Sequence, residues 1–344
     1  MKAARFVQAG DELVITDIPK PTPRMGESLI AVRAVGLCGS DVHITQGHTP
    51  TAYAPITIGH EISGVVVDIN GGETDARVGD HVFVNPMVGC GECRFCISGD
   101  VNFCASRSII GIQREGALAE FVVAPTANLT VMPPELAFPE IALIESAGTA
   151  NHAVRVLDVT ATDAIVVIGT GGLGMQALRL AVARGARVFA VDSDPVARER
   201  SLAAGAEQVF DPAAGEDLPA VILEAAGLPG GVDGVIDCVG IEPTFTTALN
   251  LLRLNGHVAI VGIGGRALTL TPPAHFMRRA LRVSGIYGYS NRDIAEVSAH
   301  LIDGSLDLRA SVSATLPLEQ VNEGIRMFVD RENSPVRIVI EPAR

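Results

Sequence analysis

The 344-residue sequence contains no tryptophan, and only 4% of its residues are aromatic, so indole fluorescence cannot report ligand binding. Positive charge is scarce as well. Its 26 Lys and Arg residues stand against 39 Asp and Glu residues, which leaves a net charge of -13. Such an acidic chain lacks the electrostatic footprint for binding nucleic acid or anionic membranes, and we expect neither partner.

Long apolar runs are also missing. The most apolar stretch, 164–180, is interrupted by glycines and is too short to span a bilayer. Asp11 and Glu12 interrupt the N-terminus before an apolar signal segment forms. We therefore expect a cytoplasmic protein, in which the six cysteines serve as metal ligands or free thiols rather than disulfides.

The length and the 48% hydrophobic content are sufficient for two domains, each with its own core. In the first part, short strands at 28–35, 62–69 and 81–84 are separated by glycine-rich turns, which predicts a β-rich domain. From Asp163 onward, apolar strands alternate with helices. This order predicts an α/β domain with a doubly wound parallel sheet.

The segment Cys38-Gly-Ser-Asp-Val-His43, followed by Gly59-His60-Glu61, holds a thiol, imidazoles and carboxylates. A catalytic zinc keeps three protein ligands and one open position. Cys38 and His60 suit two of these positions and a carboxylate the third, while Asp41 is placed to orient the His60 ring. The alternative is that Cys38 is an inert buried thiol and His60 a hydrogen-bonded core residue.

A second metal motif has the spacing C-x2-C-x2-C-x7-C. Its members are Cys90, Cys93, Cys96 and Cys104. Four thiolates close a tetrahedral zinc site with no open position, which predicts a structural role. Zinc binding would supply folding energy to a lobe, at about 88–108, with little apolar sequence of its own. A nucleic-acid-binding zinc ribbon is disfavoured by the local acidic residues and the net charge.

A dinucleotide-binding pattern begins with the apolar run 164–168, as expected of a central parallel strand. Its glycines are Gly169, Gly171, Gly172 and Gly174. We assign the tight turn to Gly169, close approach of the backbone to a pyrophosphate to Gly171, and helix–strand packing to Gly174. A helix to Arg184 and a strand at 187–191 complete the order that makes the pattern specific.

The acidic residue at the end of that second strand, Asp192, predicts the cofactor. Its carboxylate can accept hydrogen bonds from the adenosine ribose and repels a 2′-phosphate, which favours NAD over NADP. The alternative is that Asp192 only begins a turn before Asp194 and Pro195. Five residues after Asp192 stands Ala197, and the next residue is the basic Arg198.

Together, CGSDVH, GHEISG, the four-cysteine lobe and the glycine pattern resemble the medium-chain, zinc-dependent alcohol and polyol dehydrogenases. The resemblance runs the length of the chain. It implies a GroES-like catalytic domain at 1–153 and 290–344, and a Rossmann NAD-binding domain at 154–289.

The resemblance also implies residue roles at the catalytic zinc. Cys38 and His60 bind the metal, Ser40 takes the alcohol proton, and His43 passes it to solvent by way of the cofactor ribose. Glu145, in a helix predicted at 139–153, matches the position of the third protein ligand. Glu61, beside His60, is expected to lie behind the ligands and to approach the zinc or hold its water.

Two zinc ions per chain and NAD are the implied cofactors. By resemblance, Thr149 and Leu173 position the nicotinamide ring, and Arg337 binds the pyrophosphate. The resemblance implies hydride transfer between NAD and a secondary alcohol, polyol or sugar acid, and a homodimer or homotetramer is expected. The polar side chains Gln46, His48, Tyr53 and Tyr287 favour a polyol or sugar acid. The alternatives are a zinc-free quinone or enoyl reductase of the same fold, and a non-catalytic NAD-binding protein.

Overall fold

The computed structural model describes residues 1–213, 217–270, 272–330 and 335–342. The chain forms two compact units. The first unit consists of Met1–Ser146 and Tyr289–Arg344, and the second of Ala147–Gly288. No helix in the described ranges has the length and apolar character needed to cross a membrane.

The strands are numbered along the chain. They are β1 Lys2–Phe6, β2 Val14–Asp17, β3 Glu27–Leu37, β4 Ile56–Thr57, β5 Glu61–Asn70, β6 His81–Val84, β7 Met87–Val88, β8 Ser108–Ile109, β9 Phe121–Pro125, β10 Leu129–Met132, β11 Ala164–Ile168, β12 Arg187–Val191, β13 Gln208–Phe210, β14 Val232–Asp237, β15 Leu252–Ile260, β16 Arg282–Gly285, β17 Val312–Pro317 and β18 Arg337–Glu341.

The α-helices are numbered in the same way. They are α1 Gly39–Thr45, α2 Arg94–Ser98, α3 Phe138–Ala142, α4 Ile144–Val156, α5 Gly172–Ala183, α6 Pro195–Ala203, α7 Leu218–Ala226, α8 Glu242–Leu251, α9 Pro273–Arg278, α10 Asn291–Ile302 and α11 Val321–Asp330.

The first unit is built on a mixed sheet with the strand order β10-β6-β5-β3-β18-β17, and β9 also pairs with β3. The long strands β3 and β5 run antiparallel, with Gly36 opposite Glu61 at one end. Apolar side chains such as Ile30, Val35 and Ile62 form its buried core. This pairing brings the ends of two sequence-distant segments, near residues 38 and 60, to the same edge of the sheet.

The second unit has a parallel sheet in the order β13-β12-β11-β14-β15-β16. Every residue of β11 is buried, as expected for a central strand covered by helices on both faces. The order corresponds to the 3-2-1-4-5-6 arrangement of dinucleotide-binding folds. The structure thus confirms the predicted doubly wound α/β sheet.

One local prediction was wrong. The helix predicted at 139–153 is two helices, because α3 closes with the Leu143 amide bonded to the Glu140 and Ile141 carbonyls, and α4 begins at Ile144.

Candidate metal and cofactor sites

The first candidate metal site forms where β3 and β5 meet. Cys38 follows β3 directly and caps the N-terminus of α1, while His60 immediately precedes β5. One ligand atom each from Cys38, His60 and Glu61 lies within 4.8 Å of the others. The antiparallel pairing therefore gathers a thiol, an imidazole and a carboxylate, which is a donor set that suits zinc.

Asp41 organises the two ligands on which the sequence prediction rests. One of its carboxylate oxygens accepts the Cys38 amide at 2.9 Å, and the other lies 3.6 Å from His60 Nδ1. Asp41 is fully buried, and His60 is 5% exposed. Burial of the His60 ring opposes its protonation, but the Asp41 carboxylate prevails and raises the pKa of His60 well above its ordinary value. The contact through Nδ1 leaves Nε2 for a metal, as expected of a carboxylate behind a ligating histidine.

Glu61 is a buried carboxylate without protein hydrogen bonds. Neither of its side-chain oxygens has a hydrogen-bond partner among the described residues, and the Arg337 guanidinium lies 3.7 Å from one of them. Burial raises the pKa of Glu61 to about 7, while the Arg337 guanidinium opposes the shift. Buried carboxylates without partners are costly unless they are neutralised or bound to a metal. The residues present therefore fit a divalent metal ion.

A glycine makes room for this carboxylate. Gly36 lies opposite Glu61 in the β3–β5 pair, and a Cβ at position 36 would lie 2.1 Å from Glu61 Oε2. Any side chain there would displace the carboxylate or separate the strands.

The third member of the cluster differs from the expected set. Among the described residues, the carboxylate whose oxygen lies within 4.8 Å of the Cys38 and His60 ligand atoms is that of Glu61, not that of Glu145. Glu61 is brought in because it directly follows His60 at the start of β5. Glu145 is buried at the start of α4, where burial raises the pKa of its carboxyl group. Its assignment as a metal ligand stays a prediction.

Tyr289 is a neighbour of this site that the sequence reasoning missed. It is 1% exposed, and burial together with the neighbouring Glu145 carboxylate raises the pKa of its hydroxyl. The same hydroxyl lies 3.4 Å from Asn85 Oδ1. A single tyrosine after a strand carries no local signal for this contact. Tyr287, which the sequence suggested as a polar group for the substrate, is 49% exposed.

Ser40 and His43 lie on α1, three residues apart, and such residues share a helix face. Both are half-buried. The Ser40 hydroxyl is 3.8 Å from Cys38 Sγ. A hydroxyl thus lies beside a candidate metal ligand, with an imidazole one helical turn farther on.

The four lobe cysteines form a second candidate metal site. All four Sγ atoms, those of Cys90, Cys93, Cys96 and Cys104, lie within 4.8 Å of one another. Cys93 Sγ is 3.6 Å from Cys96 Sγ, and Cys96 Sγ is 3.9 Å from Cys90 Sγ. Backbone amides, that of Glu92 most strongly, lower the pKa of Cys90 to about 7 and favour its thiolate form. The donor set and spacing fit a closed tetrahedral zinc site.

The glycine turn of the second unit has the geometry of a phosphate site. Gly169 has φ = +81°, and a Cβ at Gly174 would lie 1.9 Å from the Gly169 carbonyl oxygen. A Cβ at Gly171 would meet no atom within 4 Å. The turn leads into α5, which begins at Gly172, and helix N-termini attract phosphates. The residues therefore fit a dinucleotide pyrophosphate.

Asp192 is fixed beside that turn. One of its carboxylate oxygens accepts the Thr170 amide at 2.7 Å and the Thr170 hydroxyl at 3.1 Å, and the other accepts the Asp194 amide at 3.0 Å. Arg198 donates to the Asp192 carbonyl at 2.7 Å and lies 3.1 Å from Asp211. The carboxylate is thus held at the carboxyl ends of β11 and β12, where dinucleotide ribose is bound in this fold.

The remaining predicted residues lie in both units. Thr149 and Leu173 are half-buried residues of the second unit, on α4 and near the start of α5. Arg337 begins β18 in the first unit, where it is 2% exposed and faces Glu61.

Two family profiles match the chain. The alcohol dehydrogenase GroES-like domain matches residues 24–134, and the zinc-binding dehydrogenase domain matches residues 172–303. The first range contains the four lobe cysteines and the group of Cys38, His60 and Glu61, whereas Glu145 lies outside it. The second range begins at the first residue of α5.

Characterised relatives match nearly the whole chain. The L-galactonate-5-dehydrogenase of Escherichia coli K12 is 31% identical over 335 residues, which cover 97% of each chain. The sorbitol dehydrogenase of Halalkalibacterium halodurans is 33% identical over 76% of this chain and 77% of that protein.

Solved structures show the same fold. The (2R,3R)-butanediol dehydrogenase of Bacillus subtilis has a TM-score of 0.91 at 28% identity and 99% coverage of both chains. A zinc-binding dehydrogenase from Sinorhizobium meliloti, solved with NADP, has a TM-score of 0.90 at 27% identity, again with 99% coverage of both chains. The geometry and the comparisons agree, and the chain belongs to the medium-chain family of zinc-binding, nicotinamide-dependent alcohol dehydrogenases.

Proposed function

We propose that this protein oxidises a polyol or sugar acid at a secondary alcohol and reduces NAD. The observation that carries this proposal is the group of Cys38, His60 and Glu61, in which the buried Glu61 carboxylate has no hydrogen-bond partner among the described residues. A zinc-free reductase would have no need for such a group. Asp192, fixed at the glycine turn, supports the choice of cofactor.

In the proposed mechanism, Cys38 and His60 would hold the catalytic zinc together with a carboxylate from Glu61 or Glu145. Bound zinc supplies a Lewis acid that polarises the substrate oxygen. Asp41 holds the His60 ring in the ligating orientation. Ser40 accepts the alcohol proton, and His43 carries it away. The four lobe cysteines hold a structural zinc.

We propose that Gly169, Gly171, Gly172 and Gly174 bind the cofactor pyrophosphate. For Arg337 we propose the pyrophosphate-binding role that the family resemblance implies. Thr149 and Leu173 position the nicotinamide ring. Asp192 accepts hydrogen bonds from the adenosine ribose and repels a 2′-phosphate, which favours NAD. Because Asp192 also accepts the Thr170 amide, ribose recognition and the shape of the glycine turn depend on the same carboxylate.

Polar groups support a hydroxylated substrate. In the segment between α1 and β4, the Tyr53 hydroxyl donates to Glu115 at 3.3 Å, and Glu115 also accepts the Thr57 amide at 2.9 Å. This segment leads directly to His60. The names of the relatives point to the same class, since they include enzymes named for L-galactonate and sorbitol.

The protein is further proposed to act in the cytoplasm as a homodimer or homotetramer. The cysteine spacing, which suits metal binding rather than disulfides, supports this location. Size-exclusion chromatography with light scattering would measure the assembly.

The function is tested with a panel of alcohols in the presence of NAD or NADP, with reduced cofactor followed by absorbance. The panel contains sorbitol, L-galactonate, (2R,3R)-butanediol and a primary alcohol as control. We expect turnover of at least one of the first three compounds with NAD, and loss of that turnover in Cys38→Ser. Reduction of a quinone or enoyl compound without zinc would contradict the proposal, as would NAD binding without turnover of any alcohol.

A further inference from the structure

Two histidine rings meet at the end of the helix that carries Ser40 and His43. Beyond Thr45 the chain reverses through Gly47, whose φ is +78°. The Gly47 amide donates to the Ile44 carbonyl at 2.9 Å, and the His48 amide donates to the His43 carbonyl at 2.8 Å. These two bonds form a Schellman motif, which fixes His48 beside His43.

Contacts with the segment that follows β1 also fix this reversal of the chain. The Gly10 amide donates to the Thr45 carbonyl at 2.8 Å, and a Cβ at Gly47 would lie 2.8 Å from the Ala9 Cβ. The return of the chain over α1 is therefore packed against the segment that follows β1, and the position of His48 is set by the fold.

The residues at these two positions of a Schellman motif commonly make a hydrophobic contact. Here both are imidazoles. Nδ1 of His43 lies 3.5 Å from Nδ1 of His48, and the ring centroids are 5.7 Å apart. A neutral imidazole has one donor and one acceptor nitrogen, so one ring can donate to the other. Histidine is also the side chain that most readily exchanges protons near neutral pH.

Exposure increases along this series of groups. Ser40 and His43 are half-buried, and His48 is exposed. Ser40 lies next to the candidate metal ligand Cys38, with 3.8 Å between Oγ and Sγ. The series thus leads from the metal group to the surface of the first unit. Each oxidised alcohol yields one proton that has to reach solvent.

We propose that His48 is the outer member of the proton relay and carries to solvent the proton that His43 receives. The inference rests on the proposed function. In the step, imidazolium His43 donates its Nδ1 proton to the Nδ1 lone pair of His48, which leaves His43 neutral and His48 protonated. His48 then loses its Nε2 proton to water or buffer. No electrons are exchanged, and the steps reverse when a ketone is reduced. His48 acts only through His43.

The test uses His48→Leu and His48→Gln in the zinc-loaded enzyme, with NAD and the best alcohol of the panel. Leucine retains the hydrophobic contact usual at this position, so a packing role would survive that change. We expect kcat in dilute buffer to fall roughly tenfold in both variants, less than for a directly acting group because water bypasses an outer relay. Imidazole buffer should restore kcat, and KM for NAD should remain unchanged.

His275→Gln is the matched control, because it removes an exposed imidazole from the second unit. It should behave as the wild type in every buffer. Wild-type kcat in either His48 variant, or a decrease that imidazole does not restore, would overturn the relay while leaving the proposed function intact. A wild-type enzyme that oxidises no alcohol would overturn both.

A second measurement does not depend on activity. In protein labelled with 15N-histidine and free of NAD, the ring nitrogen resonances of His43 should move in His48→Leu and stay in place in His275→Gln. Resonances of His43 that are the same in His48→Leu as in the wild type would show that the rings are not in contact, and the proposal would fail.

Discussion

At the scale of single residues, Ser40 is the side chain on which the chemistry depends most directly. Its hydroxyl is half-buried beside Cys38 and does not contribute to the proposed metal ligands. We expect Ser40→Ala to lower kcat by about 10²–10⁴-fold, as is usual when a positioned proton-transfer group is lost. Zinc content and NAD affinity should be unchanged. Ser40→Thr retains a hydroxyl and should recover much of the rate. Full turnover in the alanine variant would remove Ser40 from the mechanism.

Asp192 is the residue that decides between NAD and NADP. A charge-assisted hydrogen bond to ribose contributes about 1.5–3 kcal/mol, and a 2′-phosphate would add repulsion. Wild type should therefore prefer NAD by at least about a hundredfold in kcat/KM, since about 1.4 kcal/mol corresponds to a tenfold change.

Two variants of Asp192 separate its charge from its structural contact. Asp192→Asn retains an oxygen for the Thr170 amide but removes the charge. It should therefore reduce the preference for NAD over NADP while the glycine turn keeps its shape. Asp192→Ala removes both and should weaken NAD further. Because Arg198 already pairs with Asp211, it is less available to bind a 2′-phosphate, so kcat/KM for NADP should rise only a little in these variants. A wild type that uses both cofactors equally would contradict the assignment.

At the scale of elements, the pairing of β3 with β5 makes the proposed catalytic site. Gly36→Ala places a Cβ 2.1 Å from Glu61 Oε2, so the carboxylate has to move. We expect zinc affinity at this site to fall about 10–100-fold, the range seen when support of a metal ligand is lost. Competition with a chelator would measure the change.

The control for this change is Gly230→Ala, where a Cβ meets no atom within 4 Å. It should leave both metals in place. Zinc retained by the four-cysteine lobe of Gly36→Ala would show that the first unit is still folded. Unchanged affinity at the Cys38 site would argue that Glu61 does not support the metal.

Elements with a strong local signal were predictable. The strands at 81–84, 164–168 and 187–191 have the expected bounds, because each is a short apolar run ended by polar residues or glycine. The break at Leu143 was not predictable, since the apolar sequence continues through it. Its cause is the closing of α3 on its own carbonyls.

Of the two candidate metal sites, the four-cysteine site was predictable from local sequence, and the full surroundings of the Cys38 site were not. The lobe cysteines cluster because their spacing within one segment nearly determines their geometry. The partners of the proposed catalytic site come from distant segments. Gly36 faces Glu61 only through the β3–β5 register, and Tyr289 lies beside Glu145 although the two are far apart in the sequence. Such contacts depend on tertiary structure, which local patterns do not encode.

At the scale of the whole molecule, the two proposed zinc sites should differ in lability. The lobe has four thiolates and no open position, whereas the Cys38 site has one thiolate, nitrogen and oxygen ligands, and an open position. Mild chelation should therefore abolish activity before it changes the circular dichroism spectrum. Added zinc should restore the rate. Simultaneous loss of both metals with unfolding would contradict the separation of roles.

The central claim is that the group around Cys38 and His60 holds a zinc that is needed for activity and not for folding. The most direct measurement is zinc per chain by mass spectrometry in wild type, Cys38→Ser and Cys90→Ser, together with NAD-dependent alcohol oxidation and unfolding temperature. We predict two zinc ions in the wild type. Cys38→Ser should keep one zinc and a nearly native unfolding temperature but lose activity, whereas Cys90→Ser should lose lobe zinc and stability. A Cys38→Ser variant that retains both zinc ions and full activity would contradict the account.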